Sequence, residues 1–145
     1  MQPALLLLAL AADPAPANEF TKLAGLWKPV SVRYDGQERF PEGKTRDDFT
    51  LVIRDGEYRL YFAKDRAKDE HVRLATAALT LTASTRTFEM TISDGPRKGQ
   101  RLHGIYELKD GKLSVCYGPA DRPMPTGFDA PPGSLLFSEV WKRDR

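Results

Sequence analysis

Residues 104–118 read GIYELKDGKLSVCYG, and their pairing decides the fold. Asp110-Gly111 is flanked by two runs in which apolar and polar residues alternate, the strongest short-range signature of a β-hairpin. With this dipeptide at the tip, Leu108 faces Leu113, Tyr106 faces Val115 and Gly104 faces Tyr117. Glu107 then faces Ser114, and Ile105 faces Cys116 on the opposite side. The register turns Tyr106, Val115 and Tyr117 toward an interior and sends His103 and Cys116 the other way. Gly104 opposite Tyr117 implies a ring lying over a position without a side chain, or a bend in the strand.

The same punctuation recurs at Asp35-Gly36, Asp55-Gly56 and Asp94-Gly95. A two-residue turn at Asp55-Gly56 sets Arg54 against Glu57, Ile53 against Tyr58, Leu51 against Leu60 and Phe49 against Phe62. All of these large apolar residues then share one face, and a one-residue slip would scatter them. In LTLTASTRTFEMTI, residues 79–92, Leu79, Leu81, Phe88, Met90 and Ile92 share a face against a threonine-rich one. Its turn carries no glycine, so its type stays open. Helical spacing is confined to residues 19–26, where Phe20, Leu23 and Ala24 coincide. The chain therefore predicts about eight strands: 26–34, 48–54, 57–63, 71–82, 86–93, 100–108, 112–117 and 134–142. Every connection except 118–133 is short enough for antiparallel neighbours. Eight such strands, each with one apolar face, close on themselves to remove their edges, which predicts an all-β, up-and-down antiparallel β-barrel with a short N-terminal helix. An open two-sheet sandwich is the alternative.

The 145 residues suffice for one domain with a single core. Charged residues make up 29% and the net charge is +2, with both signs interspersed. No basic stripe interleaved with aromatics is present, which argues against nucleic acid as a partner. At the N-terminus, MQPALLLLALAA has an apolar run too short to span a bilayer, followed by a polar Pro/Ala stretch. Ala9-Leu10-Ala11 suits a signal peptidase, although only the α-amino group supplies positive charge before the run. The expected organisation is a signal peptide over 1–12, a linker over 13–19 and the barrel domain over 20–145, with a periplasmic or extracellular location. Cys116 is the single cysteine, so an internal disulfide is excluded, and a lone cysteine on a strand is expected to be a small buried apolar residue.

Several segments follow one another in a familiar order: Gly25-Leu26-Trp27, residues 94–99 (DGPRKG), Gly104-Ile105-Tyr106-Glu107-Leu108, residues 113–116 (LSVC), and Arg122-Pro123 followed by Phe128. Together they resemble an uncharacterised lipocalin-like domain family expanded in planctomycete bacteria. The resemblance spans about residues 20–143, is loose over 64–88, and places Phe128 further from Pro123 than the pattern has it. It implies a lipocalin-like barrel and frequent export, and no particular activity. Gly25-x-Trp27 is also similar to the first strand of lipocalins, where the Trp closes the barrel base under a late basic side chain. Arg143 or Lys142 would fill that role here.

The sequence is poor in chemistry. His71, His103 and Cys116 have no metal-ligand spacing, so neither metal nor cofactor is expected. His103 and Cys116 fall diagonally on one strand face, yet that face also carries Arg101, Ile105, Glu107 and Ser114 and looks external. Gly-x-Ser-x-Gly and His-Glu-x-x-His are missing. SDGPRKGQ, residues 93–100, reads as a solvated turn, and KDRAKDEH, residues 64–71, as a solvated rim loop. Alternation places Glu89, Glu107 and Glu139 outside or at an edge. The segment 118–133, with Met124 and Phe128 among five prolines, reads equally as a lid over one barrel mouth or as a strap on its outside. The expected role is binding of a small apolar or amphipathic molecule in the barrel, with Tyr58, Phe62, Phe88, Met90, Tyr106, Tyr117 and Phe128 as candidate contacts. A filled barrel serving a structural or protein-interaction role is the alternative, and an enzyme ranks behind both because no constellation supplies nucleophile, base and orienter. A cavity above ~300 Å³ separates the first two readings.

Overall fold

The computed structural model describes residues 17–38, 40, 45–65 and 70–144. The signal-peptide expectation, and residues 66–69 of the 64–71 run, lie outside them. A seven-residue helix, α1 (Ala17–Leu23), leads into nine strands: β1 (Gly25–Tyr34), β2 (Gln37–Glu38), β3 (Phe49–Arg54), β4 (Glu57–Asp65), β5 (Glu70–Thr82), β6 (Thr87–Ile92), β7 (Arg101–Lys109), β8 (Lys112–Pro119) and β9 (Phe137–Arg143). All pair antiparallel with their neighbours, and β1 pairs with both β3 and β9. Eight strands thus close into an up-and-down antiparallel barrel, while the two-residue β2 only extends β1 as a ribbon.

The predicted registers hold residue for residue. Ile53 pairs with Tyr58 and Phe49 with Phe62, and Tyr106 pairs with Val115 and Gly104 with Tyr117. Asp35-Gly36, Asp55-Gly56 and Asp110-Gly111 have positive φ at both positions, the backbone that a two-residue hairpin turn requires. Asp94-Gly95 differs, with a positive φ only at the glycine. It sits in a longer β6–β7 loop closed by backbone bonds from Ile92 N to the Gln100 carbonyl and from Gly99 N to the Ile92 carbonyl. The glycine-free β5–β6 turn spans residues 83–86 and uses Arg86 at φ 54°.

The helix ends three residues earlier than its periodicity suggests. Gly25, at φ 141°, leaves helical space and starts β1, whose first three residues pair with β3. Val30 forms a bulge in the β1–β9 ladder next to Pro29, where an absent N–H is best tolerated. At this end of the barrel Trp27 is fully buried and its Nε1 donates to the Leu23 carbonyl at 2.9 Å. The Arg143 guanidinium lies 4.3 Å from the centre of the Trp27 ring and donates to the carbonyls of Ala24 and Lys22. Arg143, rather than Lys142, is therefore the late basic residue that closes the base.

Candidate functional site

The barrel interior divides into two halves of different packing. Toward the base, Leu23, Ile53, Leu79, Leu81, Phe88, Tyr106, Leu113 and Val115 meet around a residual space of only about 20 Å³. Toward the other end lies a cavity of about 410 Å³, walled by Val32, Phe49, Leu60, Ala75, Ala77, Met90, Ile92, Leu102 and Phe137. Its rim includes Asp94, Gly95, Pro96 and Arg97 of the β6–β7 loop. The difference is written along β5, whose inward positions change from Ala75 and Ala77 to Leu79 and Leu81. Two methyl groups stand where the base half has isobutyl groups, which contributes part of the space that the cavity occupies.

Where the two halves meet, the cavity has a polar floor made by Tyr58, Tyr117, Trp141 and Glu139. Glu139 corrects the sequence reading, which assigns it to the outside or an edge: it is 3% exposed and points inward. In FSEVWKR the alternation runs Phe137, Glu139, Trp141 on the inner face, and Glu139 pairs with inward Val115. The Tyr58 hydroxyl donates to Glu139 Oε1 at 2.5 Å and Trp141 Nε1 donates to the same oxygen at 3.0 Å. The Tyr117 hydroxyl donates to Oε2 at 2.7 Å.

The electrostatics follow from that geometry. Burial pushes the Glu139 carboxyl above its ordinary range, and the bonds from Tyr58, Tyr117 and Trp141 pull against it. Taking a carboxylate out of water costs several kcal/mol, and a hydrogen bond to a charged group returns roughly 2 kcal/mol. Three such bonds offset much of the penalty without cancelling it, and the carboxyl stays above its ordinary range. Both tyrosines are held well above the ordinary phenol value, first by burial and next by the facing Glu139. They remain protonated donors.

The sequence-predicted contacts are distributed between the two halves. Tyr58, Met90 and Tyr117 line the large cavity. Phe62 packs on Phe49, which does line it, with ring centres 6.4 Å apart. Phe88 and Tyr106 belong to the filled half, with ring centres 6.4 Å apart. The Tyr106 hydroxyl donates to Glu19 of α1 at 2.5 Å, which ties the helix to the barrel. Phe128 lies outside the barrel, where its carbonyl accepts from the Ser138 hydroxyl. Sequence reasoning missed Glu139, Trp141 and Phe137, although strict alternation back from Trp141 identifies all three.

The segment between β8 and β9 is the strap of the two readings. Asp35 N donates to the Leu136 carbonyl at 2.9 Å and Leu135 N to Asp35 Oδ1 at 2.9 Å, fastening it to the β1–β2 turn. Ala130 is fully buried, as is the outward Cys116 on the barrel wall. Burial, and then the charge of Asp129, pushes the Cys116 thiol up to about 11, which leaves it inert at neutral pH. His103 stands on the outer face opposite Gly118 and Glu89. Among the described residues no group of three or more His, Cys, Asp or Glu could hold a metal ion, and no helix is long and apolar enough to cross a membrane.

No family model and no curated protein matches this chain. Among solved structures it is similar to the fluorescent protein UnaG. The wild-type structure is 14% identical with a TM-score of 0.41, covering 85% of this chain and 98% of that one. A single-residue mutant of UnaG is 15% identical with a TM-score of 0.43, covering 86% of this chain and 98% of that one.

Proposed function

We propose that this protein is a binding barrel that takes one small apolar or amphipathic molecule into the rim half of its interior. The observation that supports this is the cavity of about 410 Å³, apolar along its walls, with polar groups at its floor and Asp94 and Arg97 at its rim. Binding sites for small organic molecules share that size and character, with a few placed polar groups fixing orientation. A barrel filled throughout by its own side chains would have no such space, and here only the base half is filled. Membership of the lipocalin-like family and export from the cytoplasm belong to the same reading, on the strength of the motifs and of the residues 1–12 pattern.

Native mass spectrometry of the protein purified from its own host tests the proposal. The expected spectrum has a non-covalent adduct of small-molecule mass on a chain that begins near residue 12 or 13. Ala77→Phe, which places a ring in the cavity, is expected to remove the adduct while the chain still folds. A chain free of adduct, together with no uptake of any apolar probe, would overturn the binding reading; an intact residue 1 would overturn export alone.

A further inference from the structure

We propose that the molecule held in the cavity is a cation: an organic amine whose ammonium group sits at Glu139 and whose apolar body fills the rim half. The inference rests on the binding reading above and adds the chemical class of the ligand. Glu139 presents two oxygens with about four lone-pair positions. Oε1 accepts from Tyr58 and Trp141, and Oε2 accepts from Tyr117, so three positions are filled by the protein and Oε2 keeps capacity for one more donor. The indole N–H can only donate, and both phenols aim their hydroxyls at the carboxyl oxygens. All three groups serve an ionised carboxylate, and a cation at the free Oε2 position favours that form over the protonated one that burial favours without it.

That charge has no protein counter-ion among the described residues. What acts on it is burial and the three neutral donors, and the ion pairs Glu19–Lys22, Glu57–Arg59 and Glu89–Arg101 all lie elsewhere. A buried carboxylate normally carries a cationic partner or gives up its charge. Here the missing partner would have to come through the cavity that Glu139 itself lines. Its surroundings suit an ammonium group, because Tyr58, Tyr117, Phe137 and Trp141 line the same space and aromatic faces attract cations. A ligand carboxylate placed there would face Glu139 charge to charge, and the two phenols that would otherwise receive it are already committed to Glu139.

Three probes with one body separate the possibilities: 1-naphthylmethylamine, 1-naphthalenemethanol and 1-naphthoic acid, titrated by calorimetry into the whole protein at pH 7. The amine is expected to bind at least tenfold more tightly than the alcohol, and the acid most weakly. Glu139→Gln is expected to bring the amine down to the level of the alcohol, whose own affinity changes little. Tyr117→Phe, which keeps the charge and removes one donor, is expected to retain the preference for the amine and so guards against a Glu139→Gln chain that does not fold. Equal binding of amine and alcohol, or tightest binding of the acid, overturns the cation assignment and leaves the binding barrel standing. Failure of all three probes to bind overturns the cation assignment, and the binding barrel falls with it only if native mass spectrometry also shows no adduct.

Discussion

A single buried residue, Glu139, sets the character of the site, and its position is readable from its neighbours. Phe137 and Trp141 flank it at the period of a strand, and both are inward. A charged residue between them reads as outward because carboxylates are seldom buried. What the sequence could not display was the reason for the exception, since Tyr58 and Tyr117 lie 81 and 22 residues away and meet Glu139 only after closure. The pH dependence of stability reports this directly. Burial raises the folded-state value of Glu139, so the folded chain holds that proton more tightly than the unfolded chain does. The associated stability is complete below the ordinary carboxylate value of about 4 and is lost as pH rises through the raised folded value. Wild type should therefore lose stability relative to Glu139→Gln as the pH is taken from about 4 to about 8. Urea unfolding of both chains at the two pH values measures it, and a gap that does not change with pH would contradict a raised carboxyl.

At the scale of the element, the β7–β8 hairpin shows how much a short stretch can specify. Asp110-Gly111 determines its turn and alternation determines its faces, and every pair from Leu108–Leu113 to Gly104–Tyr117 forms as read. The question left at Gly104 also has an answer. A Cβ built there would lie 2.2 Å from the Cys116 carbonyl oxygen, 2.6 Å from Tyr117 Cβ and 2.9 Å from the tip of the Phe88 ring. The glycine thus lets β6, β7 and β8 approach at the boundary between the two halves of the interior. Gly104→Ala forces backbone to move, and overpacking of this kind costs about 2–3 kcal/mol. The expected result is a fall of that size in chemical denaturation, whereas an alanine tolerated without loss would show that the strands are not held so closely. The strap is less legible than the hairpin. Its fastening to Asp35 depends on a partner 100 residues away, and prolines predict a stiff loop without saying on which side of the wall it lies.

The whole molecule is a barrel with one end built for stability and the other for space. The Trp27–Arg143 clasp, α1 and the leucines of β5 and β8 close and fill the base. Beyond the Glu139 floor the alanines of β5 leave the rim half hollow. Barrel closure is legible because it hides the edges of eight amphipathic strands more fully than an open sandwich does, but the partition of the interior is not. That partition depends on how inward side chains of different size are stacked along the barrel axis, which pairwise register does not give. It has a dynamic consequence, because local opening is resisted by the apolar contacts that opening breaks. Amides of 79–81 and 113–115, backed by the filled half, should exchange with solvent more slowly than sheet amides of 60–62 and 102–103, which are backed by the cavity. Both sets lie in strands paired on each side. Ala77→Phe should slow exchange in the second set and leave the first unchanged, because the added ring supplies contacts only to the hollow half. Equal protection of the two sets in the wild-type chain would mean that the rim half is as firmly held as the base, and that the space is not a soft point through which a ligand enters.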